Sequence, residues 1–189
     1  WLYRQDSGPE PFDLTLYGLS SDPQLRVVSP AWSPDGQRMA WVIGDCRKGE
    51  CTYGIGVFDL EKRTLRLHHP YTPVGVGGQP PAPAWSPDGR WLSFTAWAAN
   101  PDDSGLWVVR ADGEQADTDP GAADAEHHLD AGSRGSHHPI WSPDGRWLAF
   151  SSTPQGVGSG VWLAEVETWD LHSPDLPPDA YPVDWVSPP

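Results

Sequence analysis

One heptapeptide occurs three times in this chain, as Pro30-Ala31-Trp32-Ser33-Pro34-Asp35-Gly36, Pro83-Ala84-Trp85-Ser86-Pro87-Asp88-Gly89 and Pro139-Ile140-Trp141-Ser142-Pro143-Asp144-Gly145. The three tryptophans lie 53 and 56 residues apart, a period that marks stacked or radial repeats rather than one irregular domain. Within Ser-Pro-Asp-Gly, proline presets φ near −65°, aspartate bonds nearby backbone, and glycine supplies an exit that a side chain would obstruct. The predicted product is strand, turn, strand. Trp ends the first strand, and Met39-Ala40-Trp41, Leu92-Ser93-Phe94 or Leu148-Ala149-Phe150 follows the turn on the second.

Each unit continues alike. A third β-rich run covers Tyr53–Phe58, Gly105–Val109 or Gly160–Ala164, and polar turn residues come after it, as in Asp59–Lys62 and Ala111–Glu114. A short fourth segment closes the unit, clearest in Thr64-Leu65-Arg66-Leu67. Four strands in roughly 40 to 55 residues is the size of a propeller blade.

These units resemble the W-S-P-D-G blades of TolB-type β-propellers, and similar repeats occur in the propeller domains of prolyl-oligopeptidase-like enzymes. The resemblance spans nearly the whole chain. It implies an all-β propeller of four-stranded antiparallel blades and leaves activity open, because such propellers host unrelated functions.

On that frame the chain reads as a single domain, 1–189, of about four blades. Blade 1 takes 1–28 plus 181–189, blade 2 takes 29–70, blade 3 takes 82–132 and blade 4 takes 137–180. Trp1-Leu2-Tyr3-Arg4-Gln5 matches the second strand of the later units, with Phe12–Leu19 expected as a third strand and Leu25–Val28 as a fourth. Pro182–Pro189 looks like a degraded first strand and turn. Two arrangements follow: a four-blade ring sealed by both chain ends, or a segment of a propeller of about six to eight blades.

Eight of the 12 tryptophans, Trp1, Trp32, Trp41, Trp85, Trp91, Trp141, Trp147 and Trp185, fall on the two strands of the repeated hairpin. A buried indole can remove about 150–250 Å² from water, so these are expected to wedge one blade face against the next. A net charge of −14 disfavours nucleic acid or an anionic membrane surface, since neutralising phosphates needs clustered Lys and Arg. No apolar run approaches the ~18 residues of a membrane-spanning helix. The excess of Arg over Lys points to a GC-rich bacterial genome.

Cys46 and Cys51 bracket Arg47-Lys48-Gly49-Glu50 at an expected hairpin tip. A disulfide there would indicate an oxidising, extracytoplasmic location, periplasmic or at the cell surface; the alternative is two free thiols in the cytosol. Their spacing does not read as a zinc site.

Histidine occurs as three pairs, His68-His69, His127-His128 and His137-His138, with a lone His172. His137 and His138 precede the strand expected to line the central channel, which makes them the candidate metal ligands or acid–base groups. Neighbours on a strand point to opposite faces, and Ser29 and Ala82 stand at the corresponding places in the other units, so convergence is not evident and no metal or cofactor is expected. The acidic segment Gln115–Ser136, with Asp117, Asp119, Asp124, Glu126 and Asp130, lacks the order of an EF-hand and reads as a solvated loop between third and fourth strands. No G-x-S-x-G elbow is present. Gly75–Gly78 and Gly156–Gly160 lack the lysine and helix of a phosphate loop.

The expectation from sequence is a non-catalytic, extracytoplasmic bacterial propeller that binds a protein partner. Two alternatives stay open. One is an enzyme part: the propeller of a larger hydrolase, or a metal-dependent lyase or lactonase using channel histidines. The other is a structural subunit whose ring a homo- or hetero-oligomer completes.

Overall fold

The computed structural model describes residues 2–4, 8–10, 25–47, 50–71, 82–96, 104–111, 126–129, 136–153, 160–177, 180, 182 and 184–185. Among them the only regular elements are strands. Three four-stranded antiparallel sheets each carry one motif. Blade 2 is β3 (Leu25–Trp32), β4 (Arg38–Arg47), β5 (Glu50–Asp59) and β6 (Thr64–Tyr71), after a separate pair β1 (Leu2–Arg4) and β2 (Gly8–Glu10). Blade 3 is β7 (Ala84–Trp85), β8 (Trp91–Ala96), β9 (Gly105–Arg110) and β10 (Glu126–Leu129). Blade 4 is β11 (His137–Trp141), β12 (Trp147–Ser152), β13 (Gly160–Glu165) and β14 (Leu171–His172).

The three motif turns are built alike. Gly36, Gly89 and Gly145 take φ of 68°, 69° and 71°, a left-handed conformation that costs any residue with a Cβ. Their amides donate to the carbonyls of Ser33, Ser86 and Ser142. Each serine hydroxyl donates to the following aspartate (Asp35, Asp88, Asp144) and accepts the amide of Arg38, Trp91 or Trp147. The aspartate also accepts the amide of Gln37, Arg90 or Arg146. Every polar group that the tight turn removes from water thus finds a partner, which is why the buried serines cost little.

Side-chain alternation along the strands stacks the sheets face to face. Ala40, Val42, Ile55 and Val57 of blade 2 pack on Trp85, Leu92 and Phe94 of blade 3. Leu106 and Val108 of blade 3 pack on Trp141, Leu148 and Phe150 of blade 4. Strands β3, β7 and β11 are the edge strands that meet side by side, with β7 touching both others.

A directional polar contact repeats at these joints. The indole of Trp85 donates to the Ala31 carbonyl (3.1 Å), that of Trp141 to the Ala84 carbonyl (3.2 Å), and that of Trp185 to the Ile140 carbonyl (3.0 Å). In each case the acceptor is the residue before the preceding motif tryptophan. Trp185 therefore holds the place of the next motif tryptophan, although Asp184 and Trp185 belong to no strand.

Three expectations need correction. Leu25–Val28 is not a fourth strand of blade 1: it is continuous with Trp32 in β3 and pairs with Asp45–Val42. The acidic segment is not all loop, because Glu126–Leu129 forms β10, the outer strand of blade 3. Trp32 does not fill a seam. It is 50% exposed, against 9% for Trp85 and 8% for Trp141, since no described blade stacks on that face of blade 2. The expected third strand at Phe12–Leu19 lies outside the described residues.

Candidate functional site in the channel strands and rims

The edge strands β3, β7 and β11 form the wall that a central channel would follow. Two of them are bulged at equivalent places: register shifts occur between Val28 and Ala31 and between His137 and Ile140. Ser29 and His138, each just before the motif proline, take φ of 55° there. A left-handed non-glycine residue is uncommon and costs backbone energy, a pattern found at functional sites. His137 and His138 have ring centroids 4.6 Å apart, with His138 exposed. Ser136 is buried beside them and donates to the Ser152 hydroxyl at 3.1 Å.

The other described histidines point away from this wall. His127 stacks on Trp169 at 4.2 Å and His128 on Trp107 at 4.3 Å, on opposite faces of β10. His128 Nε2 also meets the Ser104 carbonyl at 3.0 Å. His172 lies edge-on to Trp147. Among the described residues no three His, Cys, Asp or Glu side chains gather as a metal site. The side chains of His68, His69, Cys46 and Cys51, like residues Asp117, Asp119, Asp124 and Asp130, lie outside the described part.

The opposite rim carries the motif turns. There the backbone ties each motif turn to the turn between the third and fourth strands, with amides of Leu60, Ala111 and Val166 donating to carbonyls of Gln37, Arg90 and Arg146. Arg38 stands where blades 3 and 4 carry Trp91 and Trp147. Its Nη2 donates to the Gly89 carbonyl at 2.8 Å and its guanidinium lies 5.0 Å from the Trp85 ring. Beside it opens a cavity of about 360 Å³, lined by mixed charges that include Asp35, Asp59, Lys62 and Arg66.

The Ser33 hydroxyl, then the Gln37 amide, holds the Asp35 carboxyl below its ordinary value, and Ser142 and the Arg146 amide do the same for Asp144. A depressed carboxyl stabilises the fold above its ordinary titration range, and that contribution is lost as pH falls through the folded value. The melting temperature is therefore expected to hold from pH 7 to about 4 and to fall below it. Asp35→Asn with Asp144→Asn should lower the midpoint at pH 7 and flatten the acid limb, as read by thermal circular dichroism across pH. An unchanged acid limb would mean the turns do not set it.

Radially stacked four-stranded blades with this repeated motif define the chain as an all-β propeller. No family model matches it. It is 27% identical over 159 residues to the uncharacterized peptidase YuxL of Bacillus subtilis, covering 79% of this chain and 20% of that protein. It superposes on the β-propeller domain of the Trilobed protease from Pyrococcus furiosus with a TM-score of 0.56 at 15% identity, over 79% of this chain and 41% of that one. The acylaminoacyl peptidase of Pyrococcus horikoshii gives 0.52 at 13% identity, over 83% of this chain and 25% of that one. The chain thus spans well under two thirds of each of these proteins.

These findings overturn the expectation of a non-catalytic propeller acting as a protein-interaction scaffold. One relative found by sequence over most of the chain is named a peptidase, and the two solved structures above are those of a protease and a peptidase. The sequence misled because its motif encodes how blades pack, which carries no mark of the chemistry attached to them.

Proposed function

We propose that this chain is the propeller part of a larger peptidase-like hydrolase, in which the blades restrict the substrates that reach an active site carried elsewhere. The observation that carries this reading is the similarity to the Bacillus subtilis peptidase along 79% of the chain. The W-S-P-D-G motif adds to it, since such blades are shared by TolB-type and prolyl-oligopeptidase-like propellers. The sequence itself holds no G-x-S-x-G elbow, so the nucleophile has to come from another part of the enzyme.

The architecture suits a selective wall. Indoles locked between sheets make the blades rigid, and adjoining edge strands leave size selection to the channel and its two rims. The test is to immunoprecipitate the native protein with an antibody against these blades and treat it with a fluorophosphonate that labels activated serines. Label on the polypeptide bearing the epitope, or on a chain tightly bound to it, is expected. Neither being labelled would overturn the reading.

A further inference from the structure

Among the described residues, blade 2 carries the longest strands. Strands β4 and β5 run 10 residues each, whereas β8, β9, β12 and β13 run 6. Aligned on the motif, β8 and β12 end at Ala96 and Ser152, the places that match Ile43. Gly44–Arg47 and the facing Glu50–Tyr53 therefore extend past the described ends of β8 and β12, on the side that carries His137. Four residues at about 3.3 Å each carry the tip roughly 13 Å outward. β3 accompanies the base of this projection, with Leu25 opposite Asp45 and Arg26 opposite Gly44.

The backbone register at the tip sets Arg47 opposite Glu50 and Cys46 opposite Cys51. Only Lys48 and Gly49 separate Arg47 from Glu50, and so close a pair can only be one that exchanges both backbone hydrogen bonds. Hydrogen-bonded and non-hydrogen-bonded pairs alternate along an antiparallel ladder. Cys46 and Cys51 thus occupy a non-hydrogen-bonded pair, where Cα atoms approach to about 4.5 Å. That lies within the roughly 4.4–6.8 Å that a disulfide spans. We propose that Cys46 and Cys51 form a cross-strand disulfide that closes the projecting hairpin.

With a low-molecular-weight disulfide such as oxidised glutathione as oxidant, the chemistry is thiol–disulfide exchange. One cysteine thiolate attacks a glutathione sulfur and expels a glutathione thiolate, leaving a mixed disulfide. The second cysteine thiolate then attacks the first cysteine's sulfur and expels the other glutathione. The two cysteines are oxidised, one glutathione disulfide is reduced to two thiols, and the two cysteine protons pass to the departing thiolates.

The bond is tested by incubating the protein with oxidised glutathione, quenching in acid, blocking with N-ethylmaleimide and measuring the intact mass. Closure is expected to leave no maleimide adduct and a mass lower by two hydrogens. Dithiothreitol should restore two maleimide sites and lower the thermal midpoint by about 5 °C. Cys46→Ser with Cys51→Ser should melt like the reduced protein in both buffers, which ties the shift to the bond. Two maleimide adducts in the oxidising buffer, a persistent glutathione adduct or an intermolecular dimer would each overturn the proposal.

Discussion

Replacing Trp141 with alanine is expected to destabilise the protein by about 3–5 kcal/mol, the cost typical of removing a buried aromatic and leaving a cavity. This indole is 8% exposed and packs among Leu148, Phe150 and Leu106 at the joint between blades 3 and 4. Its Nε1 donates both to the Ala84 carbonyl at 3.2 Å and to the Ser93 hydroxyl at 3.0 Å. Ser93 is fully buried and donates in turn to the Ala84 carbonyl. Trp141→Phe should cost less, because most apolar area returns and only the donor is lost. Trp32→Ala, the same change at a half-exposed copy of the motif, should cost about 1 kcal/mol or less. Urea midpoints of the three variants decide the matter. A Trp141→Ala cost equal to that of Trp32→Ala would show that the joint contributes nothing through this residue.

The second large effect is expected at Gly56. This residue pairs with Trp41 across β4 and β5. A Cβ built there would stand 2.6 Å from Ile43 Cδ1 and 2.8 Å from Trp41 Nε1. Trp41 is 2% exposed and stacks on Phe58, so neither neighbour has room to withdraw. Gly56→Ala is expected to cost about 1–3 kcal/mol by overpacking and to perturb the near-ultraviolet signal of the indole. Gly160→Ala is the control. It meets nothing within 4 Å, and its cost should stay within about 1 kcal/mol. Equal unfolding midpoints for the two variants would remove the close-packing argument.

What the sequence disclosed follows from which forces are local. Pro34-Asp35-Gly36 and its two copies determine their turns through backbone preferences within four residues, so the hairpins could be read directly. The apolar run Leu92-Ser93-Phe94 after the turn and the β-rich run Gly105–Val109 exposed the second and third strands in the same way. Strand β10 was hidden because Glu126-His127-His128-Leu129 has no apolar alternation of its own. Its packing partners, Trp107 beneath His128 and Trp169 against His127, lie 21 and 42 residues away in sequence. Leu25–Val28 was legible as a strand but not in its sheet, since strand pairing is a tertiary choice. The role of the motif serine as a hydroxyl that serves both aspartate and backbone was present in the pattern and went unread. Function was the least legible part. The candidate residues His137 and His138 sit on the edge strand β11, but nothing in their spacing points toward the peptidase relatives.

The indole joint has an evolutionary corollary. Each tryptophan recognises its neighbour through a main-chain oxygen, a group that every amino acid possesses. A duplicated or exchanged blade would therefore meet a ready acceptor without any matching substitution next door. Such a coupling is generic, like a standard fitting, and it lets one unit be copied around an axis while the rims diverge.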